Sequence, residues 1–268
     1  MEIHHTHHHD HPQHKEKVWK HYALEFFMLF LAVSLGFFVE NYREQTVESH
    51  REKELAQSLY EELHDDSIVV ANKVSIRLEK ENDLDYLSDY FRDSSLTTLP
   101  RKFYPAYTTS TYLINTYAFE PKDGILSQLK SSGSLRYFKS VALQKLLGDL
   151  DVSINNIRTR NEQEYQFFAN PVKPFMLEHY DFRWVNELRK KDPTALILDL
   201  INQYRAGNEI IPGELLNVST LKRDEASNMI LFYKQMLVST RTLQLNNYMV
   251  TNREILEELR RTYKLSSE

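Results

Sequence analysis

Hydrophobic and polar positions along this chain fall into three regimes. Residues 22–39 are almost uniformly apolar, with only Glu25 and Ser34 strongly polar. Eighteen helical residues rise about 27 Å, close to the roughly 30 Å hydrocarbon thickness of a bilayer. Trp19 and Tyr22 before the run and Tyr42 after it suit the aromatic belts at the two interfaces. A core helix would show a polar face, and this run has none. A cleaved signal peptide would place small residues after the apolar run, but Phe37-Phe38-Val39-Glu40 ends it. The pattern predicts an uncleaved transmembrane helix.

The second regime is an amphipathic stretch, residues 41–92, free of proline and glycine. Leu55, Leu59, Leu63, Val70, Val74, Leu78, Leu84, Leu87 and Phe91 recur at steps near three, four and seven, one apolar stripe on a long helix. His64-Asp65-Asp66 is a candidate break or metal contact, although a lone cluster of this kind usually sits in solvent. In the third regime, residues 96–121 hold Pro100, Pro105 and Pro121, many threonines, and Tyr104, Tyr107, Tyr112 and Tyr117. The pattern there predicts a loop followed by a helix start. The tyrosines are candidates to line a pocket or to fill a core beneath the loop.

Helix signals follow. Asp123 should cap a helix at 124–131, with Gly133 ending it. Ser140 should cap a helix carrying Val141, Leu143, Leu146, Leu147, Leu150, Ile154 and Ile157, running to about Asn170 and stopped by Pro171. Pro174-Phe175 starts another. Asp192-Pro193 is a start signal, with aspartate as cap and proline in the first turn. Pro212-Gly213 closes that region. A last helix from about Asp224 to Tyr263 should bury Met229, Phe232, Met236, Leu243, Tyr248, Ile255, Leu259 and Tyr263.

The predicted fold class is mainly α: an N-terminal transmembrane helix continuing into a long stalk helix, then an antiparallel helical bundle packed with the stalk. Residues 1–21 form a His-rich tail, 22–40 the transmembrane helix, 41–95 the stalk and 96–268 the bundle.

Composition narrows function mainly by exclusion. The net charge of -5 and pI near 6.1 argue against nucleic acid as a partner. The absence of cysteine excludes disulfides, thiolate metal sites and thiol catalysis. The 6 glycines and 8 prolines in 268 residues argue against an all-β fold with its many tight turns. No phosphate-binding glycine loop, Gly-x-Ser-x-Gly elbow or His-Glu-x-x-His pair occurs, so no enzyme is expected. His21, His50, His64 and His179 are scattered. Glu25 and Glu40 sit near the ends of the apolar run, where carboxylates reach the interface. Ala32 and Gly36 form a small-xxx-small pair, a weak dimer signal.

The tail itself carries His4, His5, His7, His8, His9, His11 and His14. Thr6, Asp10, Pro12 and Gln13 interrupt the run, unlike a purification tag. Such density can bind zinc, nickel or copper, and zinc or nickel at the tail is the only cofactor considered. A specific site also needs fixed geometry. The bland alternative is a soluble, partly protonated tail beside anionic lipid.

These residues resemble a family of single-pass membrane proteins of Bacteroidetes. The likeness rests on a His-rich start, on Leu24-Glu25-Phe26 and on the run from Phe30-Leu31-Ala32-Val33 through Leu35-Gly36-Phe37-Phe38 to Glu40-Asn41-Tyr42-Arg43-Glu44. It extends to Arg51-Glu52-Lys53-Glu54 and to Leu129-Lys130-Ser131-Ser132-Gly133-Ser134-Leu135-Arg136. The resemblance implies a bacterial envelope protein with a native histidine tail and brings no activity. It leaves Gly133 as a helix stop and Arg136 as the partner of a carboxylate or a helix end.

Localisation is therefore expected at the bacterial inner membrane. Lys15, Lys17 and Lys20 precede the apolar run, and Arg43, Arg51 and Lys53 follow it, a tie by the positive-inside count. The lysines lie closer, which favours a cytoplasmic N-terminus and a periplasmic body. Beside the lipid bilayer, a protein partner or a second copy is expected. Three function classes stay open: a structural or interaction scaffold, a ligand-sensing bundle acting through a partner, and metal binding by the tail.

Overall fold

A computed structural model of the chain describes residues 13–265, without the side chains of residues 13–18, 114 and 115. Every regular element among the described residues is helical. The first, α1, spans Gln13–Asp93. With no proline and no glycine between Asn41 and Asp93, nothing in it removes a backbone donor or loosens a turn. The break considered at His64-Asp65-Asp66 does not occur. The chain divides into two compact units, Met1–Glu54 and Leu55–Glu268.

In the first unit the apolar side chains of α1 meet no protein. An 18-residue window there has a mean hydropathy of 2.1, and none of it is buried. Phe26, Phe37 and Phe38 are at least 70% exposed. This helix is long and apolar enough to cross a membrane. Just beyond the apolar run, Glu40 and Arg43 form an i,i+3 ion pair.

The second unit is an antiparallel helical bundle. Its long members are the later part of α1, α5 (Val141–Phe167), and α9 (Arg223–Ser239) with α10 (Asn246–Tyr263). Side-chain bonds fix the directions. Along α1, Tyr60 meets Arg260, Asp66 meets Tyr248, Lys80 meets Tyr233 and Ser88 meets Ser227. Rising numbers on α1 thus face falling numbers on α9–α10. Helix α5 also runs against the last pair, with Ser140 bonded to Glu258 and Arg160 to Met236. Shorter helices fill the connections: α2 (Phe103–Tyr107), α3 (Ile114–Tyr117), α4 (Gly124–Ser131), α6 (Lys173–His179), α7 (Arg183–Lys191) and α8 (Ile197–Ala206).

Several expected features hold. Ser140 caps α5, its Oγ accepting from Leu143 N at 3.2 Å. Gly133 ends α4 with φ at 69°, a left-handed conformation that glycine adopts without steric cost. Helix α4 starts where expected, but Asp123 does not cap it. Its Ile125 N–H is taken by Glu62 of α1, while Asp123 accepts from Arg158 at 2.9 Å.

The departures have physical causes. The region expected as loop, 96–121, contains α2, a π-helical turn at Thr108–Tyr112 and α3. Buried threonines are tolerated there because their hydroxyls bond back to carbonyls one turn earlier: Thr108 to Tyr104, Thr109 to Pro105 and Thr111 to Tyr107. Pro171 does not stop the chain from spiralling. Helix α5 widens into a π-helical turn, Phe168–Val172, and continues as α6, which accommodates the missing donor and the ring. Asp192 does cap backbone N–H groups, those of Thr194 and Ala195, but it closes a turn, and α8 begins only at Ile197.

The last helical segment keeps its predicted extent but contains a π-helical turn, Thr240–Leu245. The buried stripe of α9 lies one residue away from the expected one. Phe232 and Leu243 are 56% and 53% exposed, whereas Ile230, Tyr233 and Leu237 are buried. On α1, Leu78 is likewise outside the core, and Arg77 and Lys80 are inside it.

Candidate functional site

The interior of the bundle unit consists of two apolar cores. One gathers Leu84, Leu87 and Phe91 of α1 with Trp184, Ile201 and α9 residues through Leu237. The other gathers Ala56 to Val70 of α1, Leu143 to Ile157 of α5 and Leu245 to Leu259 at the end of the chain. Each long helix therefore has a gap in its apolar stripe at the same level. The gap residues are Arg77, Lys80 and Glu81 on α1, Arg160 and Glu164 on α5, and Thr240 and Arg241 in the last π-helical turn.

Arg77 is the centre of this layer. Its guanidinium forks onto both oxygens of Glu164 at 3.0 and 2.9 Å, and its Nε donates to the Tyr117 carbonyl at 2.9 Å. Both side chains of the pair are nearly inaccessible. Thr240 donates its hydroxyl proton to Glu164, and Arg160 Nε donates to Thr240 Oγ1 at 3.0 Å. Bidentate, charge-assisted bonds of this kind are strong in a low-dielectric interior.

Lys80 lies in the same layer. Its Nζ donates to Tyr233 Oη at 3.0 Å and stands 4.5 Å from the Tyr117 ring centre and 4.8 Å from that of Tyr233. Burial pushes its pKa down to about 7, the positive Arg77 adds to the fall, and Glu164 opposes it. Burial also raises the Tyr117 and Tyr233 phenols well above their ordinary range. Around this centre stand three further ion pairs: Arg241 with Glu81, Arg205 with Asp83, and Lys234 with Asp85.

A lysine near neutrality is chemically competent as a base or nucleophile. Here its bonds run to protein groups, and the charges around it are matched by one another. The nearest cleft, about 210 Å³, reaches Glu164 past Glu120, Arg158 and Asn161. The layer therefore joins the helices of the bundle. Nothing in residue counts betrays it, but one signal does: Leu63, Val70, Arg77, Leu84 and Phe91 fall at sevenfold spacing, so Arg77 occupies a core position of α1.

The sequence candidates are placed as follows. His4, His5, His7, His8, His9 and His11, and the side chain of His14, lie outside the described residues. His21, His50 and His64 are exposed, and the buried His179 has Nδ1 3.0 Å from the Leu216 carbonyl. Asp66 is not a solvated neighbour of His64. It is buried and accepts from Tyr248 Oη at 2.7 Å and Lys122 N at 2.8 Å. Among the described residues no group of three His, Asp or Glu side chains is placed to hold a metal ion. Tyr104 and Tyr107 are packed into the aromatic interior beside Tyr180, Tyr117 lies against Lys80, and only Tyr112 reaches the surface, edge-on to Phe182. Arg136 stands over the Tyr137 ring.

Further depressions mark the surface of the described residues. An open cleft of about 830 Å³ runs beside α7, but its charged walls pair internally, Arg183 with Asp181 and Glu214, Lys190 with Glu187. A groove of about 430 Å³ lies between α1 and α10, with Ser67 and Val70 on one wall and Met249, Val250, Arg253 and Leu256 on the other. No protein family, curated protein or solved structure matches the chain.

Proposed function

We infer that this chain is a membrane-anchored helical protein of the bacterial cell envelope whose body has a structural or interaction role. The observation that carries the reading is the apolar segment of α1. None of its apolar window is buried within the chain, and exposed phenylalanines and leucines in that number suit a lipid environment. The interior of the body supports the same reading. Its charged layer is satisfied within itself, and the tyrosines that a ligand-sensing bundle would need around a pocket are packed against one another. The lysines 15, 17 and 20, closer to the span than the basic residues that follow it, favour a cytoplasmic N-terminus and a periplasmic body. The resemblance to single-pass membrane proteins of Bacteroidetes fits an inner-membrane location.

A photo-reactive amino acid at Val152, Leu177 or Leu196, all exposed on the body, tests the interaction role in living cells. Discrete adducts with other envelope proteins are expected from at least one face. Absence of any protein adduct from all three would contradict the reading.

A further inference from the structure

The groove between α1 and α10 is lined by polar groups that the fold leaves unused. Its volume of about 430 Å³ falls within the range of about 300–1,000 Å³ found for small-molecule sites. Val70, Met249, Val250 and Leu256 form its apolar lining. Asn252 also lines it, although that side chain is only 1% exposed. Its Nδ2 is committed to the Leu63 carbonyl at 2.9 Å. Its Oδ1 has no hydrogen-bond partner among the described residues. A buried acceptor without a donor is costly, and a donor arriving through the groove relieves that cost.

Two charges on α10 are idle beside it. Arg253 and Glu257 are exposed, line the groove and sit one helical turn apart. Such a pair commonly bridges. Here neither side chain has a hydrogen bond, ion pair or ring contact among the described residues, with each other or with anything else. The next basic residue, Arg260, is already held by Tyr60 Oη at 2.9 Å.

Each unused group asks for one feature in a ligand. A guanidinium takes a carboxylate, through two parallel bonds. The Glu257 carboxylate takes a cation, Asn252 Oδ1 takes an N–H, and the apolar lining takes an apolar side chain. A fatty acid offers neither the cation nor the N–H. A peptide with free ends offers all four features. Side chains one turn apart stand about 5–6 Å from each other at Cβ, and two extended residues span about 7 Å, so a dipeptide reaches both charges.

We propose that this groove binds an apolar dipeptide. Its carboxylate meets Arg253, its ammonium meets Glu257, a backbone N–H meets Asn252 Oδ1, and its side chains lie on Val70, Met249, Val250 and Leu256. This site goes beyond the structural or interaction role inferred above and stands independently of it.

The test is isothermal titration of the full chain in lipid nanodiscs with leucyl-leucine. Saturable binding of one peptide per chain is expected. Arg253→Gln should weaken it about tenfold or more, the loss of a charge-assisted bidentate contact. The peptide's C-terminal amide should bind the wild type as weakly as the free acid binds Arg253→Gln, and should lose nothing further on that variant. N-acetylation should show the same relation to Glu257→Gln. Both side chains are exposed and unbonded, so neither variant threatens the fold, and circular dichroism checks that helicity is kept. No saturable heat at millimolar peptide overturns the proposal. So does equal binding of acid and amide, or an affinity that Arg253→Gln leaves unchanged. Octanoate binding as tightly as leucyl-leucine also overturns it, since the groove would then be a site for anionic amphiphiles.

Discussion

Removing Glu164 while keeping Arg77 isolates the energetics of the charged layer. In Glu164→Leu the Arg77 guanidinium keeps its bond to the Tyr117 carbonyl but loses both carboxylate oxygens, and Thr240 keeps only the Met236 carbonyl as acceptor. Arg77 is fully buried, so water does not replace the lost partner. Breaking a buried pair in this way costs about 3–5 kcal/mol. For a body of this size each kcal/mol moves the melting temperature by roughly 2–4 °C, so the variant should melt roughly 6–20 °C lower. Arg77→Met/Glu164→Leu removes both charges and refills the volume. It leaves the Tyr117 carbonyl without its donor, a penalty of about 1–3 kcal/mol, so it should melt well above the single variant. Thermal unfolding of the detergent-solubilised full chain, followed by circular dichroism, reads all three. Equal melting of wild type and Glu164→Leu, or a double variant worse than the single, would refute the reasoning.

Three further outcomes follow from named residues. Lys80 has its pKa lowered on folding from the ordinary lysine value to about 7. The unfolded chain thus binds more protons between about pH 7 and 10.5, and stability from this group rises with pH across that window by up to about 1.4 kcal/mol per unit. Lys80→Met should flatten that rise, stabilising more at pH 7 than at pH 10 in parallel melts; an unchanged slope would show Lys80 to be solvated. Gly133→Ala forces a side chain into left-handed backbone at φ 69° and should cost about 1–2 kcal/mol by the same melts, the empty space around the site giving no clash to add. Ser140→Ala removes the α5 cap and the bond to Glu258, and a loss of about 0.5–2 kcal/mol is expected. A smaller effect than in a surface control such as Ser75→Ala would contradict the cap.

The fold was legible where the pattern was dense. The apolar run, the proline-free α1, the Ser140 cap and the Gly133 stop all rest on local chemistry, and local chemistry is written in consecutive residues. What escaped depends on distant partners. Lys80 looks like a member of a solvated face until Tyr233 meets it, and the core position of Arg77 has no visible reason until Glu164, 87 residues away, closes the layer. Asp66 looks solvated beside His64 until Tyr248 reaches it. The π-helical turns escaped for a different reason. A single extra residue in a turn costs little and leaves no composition signal. Tyr104 and Tyr107 show the limit of reading aromatics. The same crowding fits a pocket or a core, and only packing against Phe103, Tyr180 and Trp184 decides for the core.

The central claim is that the apolar segment of α1 spans a bilayer with the body on one side. Because the chain has no cysteine, single cysteines report topology without background. Cysteine at Thr6 and, separately, at Ser95 should be probed in intact cells with a thiol reagent that crosses the outer membrane but not the inner. Labelling at position 95 only, with position 6 reacting after the inner membrane is opened and the protein resisting alkaline carbonate extraction, is the predicted result. Labelling of both positions from the same side, or release of the protein by carbonate, would contradict it.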